Sequence, residues 1–461
     1  MWRGSSTETP YPSLTGEEGS KPKAWEVKVF LPLRHRPSSP TASRRAPPRK
    51  AGDGLKPTLL RTLLLYGLIF SAPATSAGDL QVSSMAALDR GEYLAALQGF
   101  RADAVGPDGG ARDGTRLQTW RQARVFAGVD GICSTASDAR SSSTPLDSAW
   151  RARLSQALRT DAIAEIAKRA RATKVVILNE SHETSRGRAF ALELARALRP
   201  LGYSVLAIEA LSNLRGAPLL GGDAVPLDAG FYTKDPVFAD MIVQALRFGY
   251  RTAAYEHIPE VGIAGSQSDR EQGQARNLSN VISSDPKAKL LVFVGQSHLA
   301  ESPLPGGGGS TTEWMAARLK RMSGIDPLTI DQATLNETSA RESVRDAHRI
   351  ASHGLRARSA ILFEKGSPLV YGQYGGAVDL QVVHPPTRCM AGRPDWLMGL
   401  GRRPKAIPRA LLPQSGERLV QAYTKNAPSN AVPVDQVIVE AGRRPPSLML
   451  PDRPVRYQVQ D

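Results

Sequence analysis

The sequence has only two cysteines in 461 residues, Cys133 and Cys389, and no paired-cysteine zinc pattern. It also lacks the G-x-S-x-G motif of many serine hydrolases. Its longest apolar run, residues 63–70, is about half as long as a membrane span requires, so we expect no transmembrane helix. The net charge is +15, but no cluster of Lys and Arg is interleaved with aromatic residues, so nucleic-acid binding is not expected.

The first 77 residues are predicted to be removed or to lie outside the folded protein. Residues 1–56 form a Pro/Ser/Arg-rich leader, or reflect translation that really begins near Leu55. Lys56 and Arg61 precede the apolar run, and Thr75 and Ala77 occupy the small-residue positions of a cleavage site. This order predicts a signal peptide at 57–77, cut near Ala77, and a periplasmic or secreted protein. In such an oxidising compartment the two cysteines form one bridge or remain two unpaired thiols.

Strand and helix patterns alternate from residue 151 onward. Strands are predicted at residues 174–178, 203–208, 250–255 and 289–294, and helices near 160–171, 186–198, 237–248 and 268–283. This alternation predicts an α/β fold with a mostly parallel sheet flanked by helices. We expect a helical appendage and linker at 78–150, the α/β core at 151–330, and a C-terminal extension with some strands at 331–461.

The predicted strands end in polar side chains that can do chemistry. The first runs from an apolar VVIL segment straight into Asn-Glu-Ser-His. Because ligands bind at the carboxyl ends of strands in open α/β sheets, these ends predict one shared polar cleft. The residues concerned are Glu180 and His182 after the first strand, Glu209 after the second, Glu256 and His257 after the third, and His298 after the fourth.

Carboxylates with imidazoles in a cleft fit three kinds of site. They can bind a divalent metal that activates a water. Without metal, a histidine oriented by a glutamate can act as a general base. A histidine can also be an axial ligand of haem, for which Phe231, Trp314 and Met315 would supply apolar walls. The residue pattern leaves these alternatives open.

Four segments together resemble the erythromycin-esterase-like/ChaN-like superfamily, which includes TraB and Tiki proteins and has two G-x-x-H motifs. The first motif reads Asn179-Glu-Ser-His182, with Asn in place of the first Gly, and the second reads Gly295-Gln-Ser-His298. Between them, IEA supplies Glu209, and DREQGQARNL is similar to the superfamily's R-[DE]-x-x-M-A-x-N segment. Asn tolerates left-handed backbone angles better than most residues, so we expect the first turn to survive the Gly-to-Asn change.

The resemblance implies a site built from five residues: Glu180, His182, Glu209, Arg270 and His298. His182 would be the general base or a metal ligand with Glu180 as its partner, Glu209 a second acid/base or ligand, and Arg270 an anchor for an anion. His182, Glu209 and His298 would hold a divalent metal, or His182 and His298 a haem. The implied activity is hydrolysis of an ester or amide in a small-molecule or peptide substrate. The alternatives are a haem- or iron-binding protein of the ChaN type, and an inactive scaffold.

Overall fold

The structure is a computed structural model that describes residues 77–106, 110, 112–134, 144–214, 217, 220–259, 266–305 and 311–461. The predicted leader and signal peptide therefore lie outside the described residues, apart from Ala77. The α-helices are α1 Ala77–Asp89, α2 Tyr93–Ala104, α3 Gly114–Phe126, α4 Ser148–Gln156, α5 Ala162–Arg169, α6 Arg186–Leu198, α7 Pro236–Arg247, α8 Gln267–Ser284, α9 Met315–Ser323 and α10 Glu342–Ala351.

The strands fall into one large sheet and several small ones. In chain order they are β1 Leu158–Asp161, β2 Val175–Glu180, β3 Tyr203–Ile208, β4 Arg251–Ala254, β5 Lys289–Gly295, β6 Leu304–Pro305, β7 Thr311–Thr312, β8 Leu328–Asp331, β9 Ala360–Glu364, β10 Ser367–Pro368, β11 Leu380–Val383, β12 Cys389–Met390, β13 Arg393–Pro394, β14 Arg402–Lys405, β15 Glu417–Thr424, β16 Asp435–Glu440, β17 Leu448–Pro451 and β18 Val455–Gln460.

The large sheet has the order β1-β9-β11-β8-β2-β5-β3-β4, and β10 pairs with β9. The strands from β11 to β4 are parallel, whereas β9 is antiparallel to both β11 and β1. The prediction of an α/β fold with a mostly parallel sheet and a partly β C-terminal region is confirmed. Because β9 and β11 join this sheet, residues beyond 330 complete the core sheet as well as forming the C-terminal extension.

Helices cover both faces of the sheet, which explains the unbroken apolar run in β2. Every residue of β2 is buried. Successive side chains point to opposite faces. Val176 and Leu178 pack toward α6 and α7, whereas Val175 and Ile177 belong to a second cluster that includes residues of α8 and α9.

The C-terminal region adds a three-stranded antiparallel sheet, β16-β15-β18, and the pair β14-β17. Buried Arg402 joins β14 to α7 through Asp240, with 3.0 Å between Nη2 and Oδ2. A disulfide joins Cys133 to Cys389, so of the two alternatives left open by the sequence, the cysteines form one bridge. Within the described ranges, no helix is both long enough and apolar enough to cross a membrane.

Candidate functional site

Glu180 reaches the sheet edge as the last residue of β2, where its register partner is Gly295 on β5. Its buried carboxylate accepts a 2.6 Å hydrogen bond from Arg188 Nε, and Arg188 Nη1 donates at 2.7 Å to Asp235. One guanidinium thus serves two buried carboxylates. Burial raises the pKa of Glu180 to about 7, and Arg188 does not cancel this effect because Asp235 shares its charge.

His182 lies two residues beyond β2, stacked on an aromatic ring. Its ring centroid is 3.8 Å from that of Tyr232, with 24° between the planes. Its Nε2 is 4.0 Å from Glu180 Oε1, and its side chain is 14% exposed. Burial lowers the pKa of His182 to about 3, so the ring is neutral at physiological pH and binds a proton only where a nearby anion stabilises the imidazolium.

Gly295, the first residue of the second motif, has a steric role. A Cβ at this position would lie 2.7 Å from His182 Nε2 and 3.3 Å from Glu209 Oε2. The Gly295 N–H also donates to Glu209 Oε2 at 2.5 Å. The next residue, Gln296, has φ 34° and starts the 3-10 turn Gln296–Leu299 that carries His298. A glycine here therefore lets the first motif's histidine and the Glu209 carboxylate approach the same backbone.

Glu209 follows β3 and lies at the centre of an ionic network. Arg270 Nη2, on α8, donates at 2.5 Å to Glu209 Oε1 and at 2.5 Å to Glu256 Oε2. Burial by itself would raise the pKa of Glu209, but His298, Arg270 and the Gly295 N–H lower it to about 2. Glu209 is therefore an anion at neutral pH that positions Arg270 and His298.

His298 lies between two carboxylates. Its Nδ1 is 2.9 Å from the Glu271 carboxylate, and its Nε2 is 3.4 Å from Glu209 Oε1 and 3.2 Å from Arg270 Nη1. Burial opposes protonation, but Glu209 and Glu271 outweigh it and raise the pKa of His298. Glu271 is itself fixed by the Met315 N–H, which donates at 2.8 Å. This histidine is thus suited to act as a cation or proton donor.

The α8 segment holds the loop that follows β4. Asn277 Nδ2 donates to the carbonyls of Tyr255 at 3.0 Å and Glu256 at 3.2 Å. Gln274 Nε2 donates to the Glu256 carboxylate at 3.0 Å. Arg270 and Gln274 therefore fix the carboxylate of Glu256, and Asn277 fixes its backbone.

The structure brings the five predicted site residues into one cluster. Glu256 joins them through Arg270, whereas His257 packs against Gly273 of α8, away from the network. Sequence reasoning did not identify four members of the site: Arg188, Tyr232, Asp235 and Glu271. Arg188 could have been identified from the sequence, because an arginine on the apolar face of a predicted helix needs a buried partner. Tyr232 had none, because it belongs to a long irregular loop.

Asn179 does not occupy the turn expected for it. It lies within β2, because the strand continues two residues past the predicted end at 178. Its Nδ2 donates at 2.8 Å to Asp331 Oδ1, and its Oδ1 accepts the Gln332 N–H at 2.8 Å. Extended backbone suits any residue, so the Gly-to-Asn change does not strain the motif. The amide instead connects β2 to the end of β8.

The predicted metal and haem ligands do not fit either group as arranged. No set of three or more His, Cys, Asp or Glu side chains within the described ranges is placed to hold a metal ion. Arg270 occupies the position beside Glu209 and His298 where a cation would bind. For haem, His182 would need an open apolar pocket, but its ring is stacked on Tyr232. Met315, a proposed pocket wall, is fully buried in the core.

No protein-family model and no curated protein matches the chain. Among solved structures, two entitled as bacterial protein toxins are 16% and 15% identical, each with 54% of this chain aligned to 56% of the other and a TM-score of 0.29. A third is entitled as revealing a thiol-protease-like catalytic triad in the C-terminal region of Pasteurella multocida toxin. It is 14% identical, with 52% of this chain aligned to 34% of the other and a TM-score of 0.26. This chain therefore spans about half, or less, of those proteins, and similarity at this level does not bear on the site.

Proposed function

We propose that this protein is a hydrolase that cleaves an ester or amide with a water activated at the Glu180/His182 pair. The observation that carries the proposal is that a neutral, partly accessible imidazole and the carboxylate that holds a guanidinium meet at Gly295. His182 and Glu209 both lie against the Cβ position of that glycine, and Glu209 in turn holds Arg270 and His298. A base close to an oxyanion-stabilising cation is the arrangement that acyl transfer requires.

The two sides of the site would divide the reaction between them. His182 accepts the proton of the attacking water, and Glu180 stabilises the imidazolium that forms. Because the pKa of Glu180 is about 7, its charge changes within the physiological range. Arg270 has one Nη1 N–H left to donate to the developing oxyanion, which it can reach because its side chain is 26% exposed. His298 protonates the leaving group. No thiol nucleophile is available while Cys133 and Cys389 are bonded.

Three further proposals accompany this function. Membership of the erythromycin-esterase-like/ChaN-like superfamily is supported by the two motifs at the ends of adjacent parallel strands, β2 and β5. Export to the periplasm or outside the cell, after cleavage near Ala77, is supported by the disulfide. The substrate is a small molecule or a peptide rather than a nucleic acid. Haem binding is the alternative, but no contact described above favours it.

The test is hydrolysis of p-nitrophenyl esters and acyl-peptide anilides by the purified protein. We expect His182→Ala to lower kcat/KM by about 100- to 10,000-fold, the usual contribution of a general base. The matched control is His353→Ala, because His353 is exposed and outside the cluster. Its rate should equal that of the wild type. An absence of hydrolysis across the panel, or an unchanged rate in His182→Ala, would refute the proposal.

The pH profile distinguishes the role of Glu180. If its ionised form supports catalysis, kcat/KM should rise as pH increases through about 7, and this rise should be missing in Glu180→Gln. A haem-binding protein would instead retain its absorbance spectrum in Glu180→Gln and show no hydrolysis in any variant.

A further inference from the structure

A second polar cleft lies on the same edge of the sheet as the candidate active site. It is bordered by the loop after β2, which includes Ser181 and Thr184, by the loop after β8, which includes Asn336, and by Trp396. Its empty space is about 550 Å³ when the open, solvent-filled mouth is included. The loop after β2 also carries His182, so one short segment separates this cleft from the catalytic cluster.

Arg186 is the cation of this cleft, and none of the described residues forms an ion pair with it. Its guanidinium carbon lies 5.7 Å from the centroid of the Trp396 ring. Its Nε is buried and has no hydrogen-bond partner within the described part of the chain. Glu193, Glu337 and Asp395 act on it only through longer-range attraction, and burial lowers the pKa of Arg186.

Arg188, two residues along the same helix, differs from Arg186 in its ionic contacts. Arg188 is fully buried and holds two carboxylates at 2.6 and 2.7 Å, although its Nη2 also has no hydrogen-bond partner within the described part of the chain. Arg186 occupies a cleft without any such contact. An unsatisfied buried donor in a native structure calls for an explanation, and a ligand that accepts its hydrogen bonds is the direct one. A planar guanidinium pairs best with a planar carboxylate.

Another residue of the cleft lining, Glu337, accepts hydrogen bonds. The carboxylate of Glu337 binds the Thr387 N–H at 2.9 Å and the Thr387 hydroxyl, which leaves lone pairs free on both oxygens. His348 and His384, at the inner wall, add no positive charge, because burial lowers the pKa of each. The cleft lining therefore combines a cation, Arg186, with a hydrogen-bond acceptor, Glu337.

We propose that this cleft binds a carboxylate that has an N–H donor close to it, the chemistry of an acylated amino acid or the C-terminal residue of a peptide. The carboxylate pairs with Arg186 beside Trp396, and the N–H donates to Glu337. The inference rests on the proposed function to the extent that this ligand is the acidic end of the substrate, but the binding itself does not require hydrolysis.

The test is isothermal titration calorimetry of the purified protein with N-acetylglycine, N-acetylglycinamide and inorganic phosphate. We expect N-acetylglycine to bind and its neutral amide to bind at least about tenfold more weakly, because a charge-assisted hydrogen bond is lost. Arg186→Gln should weaken N-acetylglycine by about 10- to 100-fold. Arg171→Gln is the matched control, since Arg171 is exposed in the 3-10 turn Ala170–Ala172 that precedes β2, and its affinity should equal that of the wild type.

Any one of four other results of this titration would contradict the proposal. Equal binding of the acid and the amide would remove the role of the charge. Equal binding in Arg186→Gln and the wild type would place the ligand elsewhere. Tighter binding of phosphate than of N-acetylglycine would indicate a general anion site. No binding to the wild type at millimolar ligand would leave the cleft without the proposed ligand.

The kinetics separate this inference from the proposed function. With a neutral p-nitrophenyl ester, Arg186→Gln should retain the wild-type kcat/KM. With a carboxylate-bearing substrate, the same change should raise KM at least about tenfold and leave kcat nearly unchanged, because it removes ground-state binding alone. Failure of the carboxylate effect with normal ester hydrolysis would refute only this inference, whereas absence of hydrolysis with intact N-acetylglycine binding would refute only the proposed hydrolase.

Discussion

Replacing Gly295 with alanine tests the packing at the centre of the site. The added Cβ would lie 2.7 Å from His182 Nε2, whereas ordinary van der Waals contacts begin at 3.4 Å. The imidazole would have to move by about 0.7 Å, the difference between these two distances. Tyr232 stacks on the ring and opposes that movement, and Glu209 Oε2 is already 2.5 Å from the backbone nitrogen of Gly295.

The expected cost is that of overpacking a rigid site, about 1–3 kcal/mol in the free energy of unfolding. If the protein hydrolyses esters, a displacement approaching 1 Å should also lower the rate by up to about 100-fold. The clash depends on the imidazole. In a His182→Ala background, most of the cost of Gly295→Ala should therefore disappear, giving a coupling energy of about 1–3 kcal/mol.

The assay is urea unfolding followed by circular dichroism, applied to the wild type, both single variants and the double variant. Gly114→Ala is the matched control, because a Cβ at the first residue of α3 would meet no atom within 4 Å. It should be neutral or slightly stabilising. A Gly295→Ala protein as stable as Gly114→Ala, or costs that simply add in the double variant, would show that His182 does not lie against Gly295.

Three further predictions use the same unfolding assay. Arg188→Met should cost about 3–5 kcal/mol, because two buried carboxylates lose their shared cation, whereas Arg247→Met at an exposed ion pair should cost less than about 1 kcal/mol; equal costs would contradict the buried pairing. Because the pKa of Glu209 falls from 4.5 to about 2 on folding, its ionisation stabilises the fold above pH 4.5 and this stabilisation is lost as pH falls. Wild type should therefore lose about 2 kcal/mol more than Glu209→Gln between pH 5 and 3, and parallel profiles would refute the shift. Reduction should cost the wild type about 2–5 kcal/mol and leave Cys133→Ser/Cys389→Ser unchanged, so a reductant-insensitive wild type would argue against the bridge.

Local pattern predicted the elements whose signals are strongest. The predicted strand at 203–208 and the predicted helix at 186–198 coincide with β3 and α6. Both have apolar residues at the period of their own element, so local propensity and tertiary packing favour the same structure. The adjacent positions of Glu180, Glu209, Glu256 and His298 also followed from the sequence, because parallel strands present their carboxyl ends at one edge.

Where local pattern and packing disagreed, packing prevailed. Residues 160 and 161 were predicted as helix, but they end the edge strand β1, which pairs antiparallel with β9 some 200 residues later. The strand β15, at Glu417–Thr424, was not located within the predicted C-terminal extension, yet it is the centre of a three-stranded sheet. Hydrogen bonding to strands far away in the sequence determines whether such segments are strands. A short window of sequence contains no information about those partner strands.

The sequence by itself determined the alternation of strand and helix, the polar strand ends and the identities of the five predicted site residues. Only the tertiary structure decided which of these side chains are charged and which are held in ion pairs. It placed one guanidinium between Glu180 and Asp235, and placed Arg270 against Glu209. It also left Arg186 Nε without a hydrogen-bond partner among the described residues. The physical reason is that strand periodicity acts over neighbouring residues, whereas desolvation and ion pairing depend on three-dimensional distances between side chains far apart in the chain.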